Sequence, residues 1–111
     1  MYEYKARLLR VVDGDTVDVD IDLGFKVHIQ QRVRLYGIDA PEVRTRNLEE
    51  KEKGIASTVY LKQILPREFI VKTYLNKRGK FGRILGTILV NEIDINKQMI
   101  EEGHAEKYPA E

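Results

Sequence analysis

The chain has 111 residues, with 19 Lys and Arg against 18 Asp and Glu, so its formal net charge is +1. This length suits one domain, and we expect residues 1–111 to form a single unit that buries its own core. The absence of cysteine excludes thiol catalysis, iron–sulfur clusters and thiolate-bound zinc, and the two histidines do not have the spacing of a zinc site. A bound metal is therefore expected to take oxygen ligands.

Hydropathy and the amino terminus bear on where the chain resides. The longest apolar run is residues 88–90, which is too short for a membrane helix. Residues 1–7 lack the apolar stretch and cleavage site of a secretory leader, so we expect a cytoplasmic protein, or a secreted one if a leader has been trimmed. We also expect a monomer without membrane contact. The near-neutral charge argues against a surface that binds polyanions everywhere, but it can hide a local basic patch.

Alternating apolar and polar residues predict the first three strands. Residues 5–12 form a first strand that ends at the turn-forming residues 13–15. In the next segment an acidic face, formed by Asp18, Asp20 and Asp22, alternates with the apolar residues Val17, Val19, Ile21 and Leu23. After Gly24 the apolar series resumes with Val27, Ile29, Val33 and Leu35. The second and third strands are therefore expected to form a hairpin.

Helical periodicity replaces this alternation over residues 48–65. The apolar positions Ile55, Val59 and Ile64 share one stripe of the predicted helix, and Pro66 ends it. A helix inserted after the third strand is typical of one class of small β-barrel.

Two more strands and a short helix complete the predicted elements. Residues 69–75 and 83–90 are rich in β-branched side chains and flank a polar loop, which predicts a second hairpin. The last helix begins near Asp94 or Asn96 and ends at Gly103, with Ile95 and Met99 facing inward. Five strands and two helices in this order predict a mainly β, α+β fold: a five-stranded Greek-key barrel of the oligonucleotide/oligosaccharide-binding (OB) type.

Two clusters of carboxylates could carry chemistry. The first, Asp13-Gly14-Asp15-Thr16, is either an ordinary turn or a place where carboxylate oxygens converge on a hard divalent cation. The second runs from Arg34 to Asp39 and Glu42, with Pro41 restricting the backbone. These residue types could serve a phosphate, a metal and a proton transfer, or they could lie in a solvated loop.

The third cluster is basic. Residues 77–83 contain Lys77, Arg78, Lys80 and Arg83, and this local patch is hidden by the net charge. The loop could be a soluble hairpin tip. Alternatively, Arg83 begins a strand, where a guanidinium is held at a more fixed distance than in a loop. Two arginines near a cation held by carboxylates would neutralise the charge that develops in phosphoryl chemistry.

The three clusters together resemble the staphylococcal nuclease (thermonuclease) family over nearly the whole chain. The matching segments, in the same order and spacing, are residues 12–17, Arg34 followed by residues 39–42, residues 80–83 and residues 96–103. Any single segment is a weak match, whereas four in register are specific. The resemblance implies an SNase-like OB-fold barrel with two to three helices. It also implies a Ca²⁺-dependent endonuclease that cleaves DNA and RNA to products with 3′-phosphate and 5′-hydroxyl ends.

The resemblance also implies roles for single residues around a calcium ion. Asp15 and Asp39 would be calcium ligands, together with the backbone carbonyl of Ala40, a position where many family members carry Thr. Asp13 would lie next to the metal site without binding the ion directly. The residue types agree with this assignment, since calcium prefers oxygen ligands.

The remaining roles concern the phosphate and the nucleic acid. Glu42 would activate the attacking water as general base, and Arg34 and Arg83 would clamp the scissile phosphate and its transition state. The substrate, DNA or RNA, would contact further residues of the basic loop and the C-terminal segment: Lys77, Arg78, Lys80, Phe81 and Tyr108.

Three classes of function remain open from the sequence. The first is an active metal-dependent nuclease with little sequence preference. The second is a non-catalytic, single-stranded nucleic-acid-binding OB-fold module, and the third is a structural or partner-binding domain. The presence of all five site residues favours the first, because a domain that had lost cleavage would be expected to lose some of them.

Overall fold

The computed structural model describes residues 2–74 and 83–108, and within these residues the alternating segments form antiparallel strands. The elements in chain order are β1 Glu3–Asp13, β2 Thr16–Asp22, β3 His28–Leu35, β4 Ile38–Asp39, α1 Leu48–Ile64, β5 Glu68–Tyr74, β6 Arg83–Val90, β7 Ile93–Asp94, α2 Ile95–Glu101 and β8 Glu106–Lys107. The predicted strands and helices are all present. The two-residue strands β4, β7 and β8 are additional.

The five long strands close into a barrel. The sheet order is β3-β2-β1-β5-β6-β7, and a parallel pairing between residues 32–35 of β3 and residues 83–86 of β6 closes it. The short strands β4 and β8 pair in a separate two-stranded sheet beside the barrel. The mainly β, α+β barrel with two helices that the sequence predicts is therefore confirmed.

The barrel core follows the predicted alternation. Val17, Val19 and Ile21 of β2 are almost completely buried, whereas the aspartates between them are only partly buried. The helix α2 contributes Ile95 and Met99 to the same core, as predicted. Burial of one face of each strand is the main stabilising contribution to such a fold.

The helix ends follow the capping residues. The Asn47 side chain accepts a hydrogen bond from the Glu50 amide at 3.2 Å, and the Asp94 side chain accepts one from the Lys97 amide at 3.0 Å. The first helix ends at Ile64, two residues before Pro66. Over the described parts of the chain, no helix is long and apolar enough to cross a membrane.

The first difference from the predicted pattern concerns the β2–β3 hairpin. Leu23, Val27 and Ile29 belong to the apolar series, yet their exposures are 40%, 51% and 38%. The pairing of β3 with β6 covers only residues 32–35, so this end of the hairpin lies beyond the part of β3 that closes the barrel. Apolar and polar residues still alternate at this end of the hairpin, but among the described residues no core covers the apolar side chains there.

The second difference concerns the face of α1 that packs on the barrel. Ile55 and Val59 are nearly half exposed, and the buried residues of the helix are Gly54, Ser57 and Leu61. The predicted apolar stripe is therefore wrong at Ile55 and Val59, whereas Ile64 at its end does pack against the core. The helix docks partly through small residues that bring its backbone close to the neighbouring loops, so hydropathy does not identify the docking face.

Candidate active site

The β1–β2 turn holds a buried carboxylate in a fixed orientation. The Asp15 amide donates to Asp13 Oδ1 at 3.1 Å, which closes the turn. Asp15 Oδ1 accepts from the Thr16 hydroxyl at 3.0 Å, and Oδ2 accepts from the Ala40 amide at 2.9 Å. The Asp15 carbonyl in turn accepts from the Leu35 amide at 2.7 Å. The turn is thus tied to the end of β3 and to the segment after β4.

Gly14 allows this turn to lie close to α1. A Cβ atom at Gly14 would be 2.8 Å from the Ala40 Cβ and would overlap the Ser57 hydroxyl. Only a glycine therefore fits at this point. The Ser57 hydroxyl donates to the His104 carbonyl at 2.8 Å, so the same buried residue also holds the segment that follows α2.

Arg34 connects the turn to the segment that follows β3. Its Nη1 donates to the Leu35 and Ile38 carbonyls at 3.1 and 2.8 Å and lies 3.4 Å from Asp15 Oδ2. Its Nη2 lies 3.4 Å from Asp39 Oδ1. The guanidinium therefore lies between two carboxylates, and two backbone carbonyls fix its position. Its distances to both carboxylates exceed the 2.7–2.9 Å typical of a strong charge-assisted hydrogen bond.

The small sheet β4–β8 places two further groups next to Arg34. Asp39 pairs in register with Glu106, so two acidic residues lie directly opposite each other on adjacent strands. Like charges in such a pair are unfavourable unless a cation compensates them. The Tyr108 amide donates to the Gly37 carbonyl at 2.8 Å, and the Tyr108 ring lies with its centroid 5.8 Å from the Arg34 guanidinium carbon.

An acidic cleft of about 740 Å³ begins at Asp39 and extends between the start of α1 and the segment after α2. Glu42 is exposed and lies in its lining, next to Pro41 and Ala40. Lys53 supplies a positive charge, and His104 also lines the cleft. The carboxylates that line it are those of Asp39, Glu42, Glu49, Glu50 and Glu106. A phosphate would meet a negative potential here unless a bound cation compensated it.

Asp13 behaves differently from an ordinary surface aspartate. Burial of its carboxyl raises its pKa from 3.8 to about 6, and the neighbouring Asp15 contributes through a hydrogen bond and through charge repulsion. Two carboxyl groups therefore lie close together at this turn, and a bound cation would compensate the charge of their ionised forms.

The donor set fits a hard divalent cation in its chemistry. Asp15 is a buried carboxylate, Asp39 keeps 53% of its side chain exposed, and the backbone of Ala40 would supply a carbonyl. In the described parts of the chain, no group of three or more His, Cys, Asp and Glu side chains forms a metal site by itself. Calcium takes six to eight oxygen ligands and accepts carbonyls and waters among them, so two carboxylates and one carbonyl suit calcium better than zinc.

The structure brings together most of the residues that the sequence singles out. Asp13, Asp15, Arg34, Asp39 and Ala40 form one connected group of contacts. Glu42 shares the cleft with Asp39. Tyr108 lies beside Arg34.

Arg83 is close to this group along the sheet. It is the first residue of β6 and pairs with Arg32, while Leu85 pairs with Arg34. The remaining predicted nucleic-acid contacts, Lys77, Arg78, Lys80 and Phe81, lie outside the described residues.

The sequence indicates Asn96 only as a possible start of the last helix, and its role in supporting the site was missed. Asn96 donates through Nδ2 to the Tyr36 and Gly86 carbonyls at 2.9 and 3.0 Å, and its Oδ1 accepts from the Ile88 amide at 3.1 Å. It thereby joins α2 to β6 and to the segment just after Arg34. The only signal in the sequence is a polar residue next to the inward-facing Ile95. Glu106 and Ser57 were also missed, because their partners are distant in sequence.

The fold and the site together define an OB-type barrel with a carboxylate-lined site next to its β1–β2 turn. The family model described as "Staphylococcal nuclease homologue" matches residues 32–111. The chain belongs to this family, and the predicted resemblance is confirmed.

Several curated proteins are similar to the chain over most of its length. The protein ParB of Escherichia coli is 33% identical over 115 aligned positions, which cover 96% of the chain and 58% of ParB. An uncharacterized endonuclease of E. coli is 34% identical over 93% of the chain and 60% of its own length. The thermonuclease of Staphylococcus intermedius is 31% identical over 90% of the chain and 58% of its own length. The chain thus spans about three fifths of these relatives.

Proposed function

We propose that the chain is a single nuclease domain, residues 1–111, that hydrolyses phosphodiester bonds of DNA and RNA with calcium as cofactor. The products would carry 3′-phosphate and 5′-hydroxyl ends. The observation that carries the proposal is the placement of Arg34 between Asp15 and Asp39, with Nη atoms 3.4 Å from each carboxylate. Membership of the staphylococcal nuclease family and relatives named thermonuclease and endonuclease support the same reaction class.

Each proposed role follows from a different environment. Asp15, Asp39 and the Ala40 carbonyl would hold the calcium ion, which would supply charge neutralisation of the phosphate when bound. Glu42 is exposed in the cleft, where it could take a proton from water. Arg34 Nη1 donates to two carbonyls, and Nη2 has a long hydrogen bond of 3.4 Å to Asp39 Oδ1, so a phosphate would compete with Asp39 for Nη2. Arg83, on the adjacent strand, would supply the second guanidinium.

The acidic cleft also supports a requirement for a cation. Its five carboxylates face one lysine, so a polyanion would be repelled from Glu42 in the absence of metal. Tyr108, 44% exposed beside Arg34, would contact the nucleic-acid strand, and we propose that the basic residues of the 77–83 segment contact it as well. We propose that the domain acts as a monomer.

A cleavage assay tests the proposal. Purified protein should degrade single-stranded DNA, plasmid DNA and RNA with Ca²⁺ and should stop when a chelator is added, and end-labelling of the products should show 5′-hydroxyl groups. Asp39→Asn should abolish the response to calcium, since it removes an exposed ligand without disturbing the core. Asp18→Asn, on the outer face of β2, is the matched control and should retain activity.

The same assay separates the nuclease from a binding module. If the nucleic acid stays intact under all conditions but the protein binds single-stranded DNA, the proposed nuclease activity is refuted and the non-catalytic binding module is supported. Intact nucleic acid without binding would refute both.

A further inference from the structure

Gly54 occupies a position where glycine is locally unfavourable. It lies in the middle of the 17-residue helix α1 and is buried, although glycine destabilises a helix interior relative to alanine. The other features of the helix favour helix formation: Asn47 is its N-cap, and its first turn carries acidic residues. A contact that excludes a side chain at this position therefore accounts for the glycine.

The excluded space is occupied by the backbone of the Glu42 segment. A Cβ atom at Gly54 would lie 2.6 Å from the Glu42 carbonyl oxygen, 2.8 Å from the Glu42 carbonyl carbon and 2.9 Å from the Pro41 carbonyl oxygen. All three atoms belong to the main chain, and a main chain cannot turn aside as the end of a flexible side chain can. The α1 backbone thus packs directly on Pro41 and Glu42.

The same face of α1 contacts the carboxylate turn one helical turn later. Ser57, three residues after Gly54, is completely buried and lies against Gly14. Residues three apart lie on one helix face. The helix therefore contacts both the segment that carries Glu42 and the turn that carries Asp15, and it sets the separation between them.

We infer that Gly54 is a positioning residue for Glu42 in the proposed nuclease reaction, so the inference rests on the proposed function. An alanine Cβ needs roughly 3.5 Å to a carbon or oxygen neighbour, so Gly54→Ala would move the Glu42 backbone away from α1 by up to about 1 Å. A misplacement of that size can cost as much as ~10²-fold in rate. The Asp15 turn would move less, because Asp13, Thr16 and Leu35 hold it in addition to the Ala40 amide.

The test compares Gly54→Ala with Ile55→Ala. Ile55 is the next residue in the same helix, is 46% exposed, and its replacement by alanine also improves helix propensity. We expect Gly54→Ala to lower kcat about tenfold or more with KM changed less than about twofold. Ile55→Ala should leave both values unchanged. In a Glu42→Gln background, Gly54→Ala should lower the residual rate less than about twofold, because its effect acts through the Glu42 carboxylate.

A ¹H–¹⁵N NMR spectrum gives a readout that does not depend on activity. Gly54→Ala should shift the amide resonances of Glu42 and Val43, and Ile55→Ala should not. If the unmodified protein cleaves nothing, the proposed function fails, whereas these shifts still decide whether Gly54 positions Glu42. If Gly54→Ala is partly unfolded in buffer, both variants can be measured in sucrose, which favours the folded state without changing its contacts.

Three results would overturn the inference. The first is a folded Gly54→Ala protein with the kcat and the Glu42 resonances of the unmodified chain. The second is an equal fold-loss of rate in the Glu42 and Glu42→Gln backgrounds, which would indicate a general structural role. The third is a Gly54→Ala protein that remains unfolded in sucrose while Ile55→Ala folds, which would make Gly54 a residue required for folding alone.

Discussion

Two aspartate–arginine pairs on the same hairpin differ in geometry and surroundings. Asp18 and Arg32 face solvent in register on β2 and β3, with Nε–Oδ1 and Nη2–Oδ2 distances of 2.8 and 3.2 Å. Arg34 lies only two residues further along β3, and its partner Asp15 lies in the β1–β2 turn; their side chains are 14% and 11% exposed, and their shortest separation is 3.4 Å. The exposed pair therefore has the better geometry, although the buried pair lies where charges interact more strongly.

The difference indicates what each pair does. Among the described residues, the hydrogen bonds of the Asp18 carboxylate come from Arg32, and they lower the Asp18 pKa below its ordinary value. Arg34 is shared between Asp15, Asp39 and two carbonyls, so it satisfies none of the carboxylates fully. Exposed pairs contribute little to stability, and a buried pair is costly to break because it leaves an unpaired charge. The incompletely paired carboxylates therefore agree with the proposed site, in which a cation and a phosphate would complete the contacts.

Arg34→Gln is expected to break the buried pair with the largest effect. Loss of one preorganised donor to the phosphate should lower turnover by roughly 10²-fold or more, and Arg83→Gln should act on the same scale. In calcium-free protein, removal of the positive charge beside Asp15 should also reduce the free energy of unfolding by at most about 3 kcal/mol, since Asp15 keeps its hydrogen bonds from Thr16 and Ala40. Turnover on DNA and urea denaturation measure the two effects, with Arg32→Gln as the control. Unchanged turnover in both site variants would place the chemistry elsewhere.

Asp13→Asn is expected to have a moderate effect and, unlike Arg34→Gln, to increase the free energy of unfolding at pH 7. The folded-state pKa of Asp13, about 6, lies above its ordinary value of 3.8. The aspartate therefore favours folding below about pH 4, and this contribution is lost as the pH rises through about 6. Asn retains the oxygen that accepts from the Asp15 amide. The variant should be more stable than the unmodified protein at pH 7 by about 1 kcal/mol, after a discount for solvent screening.

Urea unfolding of both proteins between pH 4 and pH 7, with a chelator present, measures this difference. The gap between the two stability curves should open as the pH rises, because only the aspartate becomes charged. A constant gap, or a variant that is less stable at pH 7, would contradict the raised pKa.

Most of the fold could be predicted because its signals are local. The alternation in β2, the Asp94 cap and Pro66 each act within a few residues, and the structure confirms the elements that they predict. The exposure of Leu23 and Val27 could not be predicted. It depends on where β6 joins β3, and that pairing links residues about fifty positions apart.

The site could be predicted only in part, for the same physical reason. Asp15, Arg34 and Asp39 belong to short motifs, and the structure brings them together. The opposition of Asp39 and Glu106 depends on the register of two strands far apart in sequence. The docking face of α1 was missed because Gly54 packs against its neighbours by having no side chain. A pattern of hydrophobic residues does not identify such a position.

Asp18→Asn is expected to have the smallest effect and to sharpen the comparison. Because the Asp18 pKa is lowered in the folded state, its contribution to stability is present above its ordinary pKa and is lost as the pH falls through the folded value. The pair is largely exposed, so Tm at pH 7 should fall by less than about 3 °C. The difference from the unmodified protein should shrink near pH 3 and in about 1 M NaCl, which screens exposed charges. Cleavage should be unchanged. If Asp18→Asn lowered Tm more than Arg34→Gln does, the exposed pair would contribute more to stability than the buried pair, which would contradict the comparison drawn above.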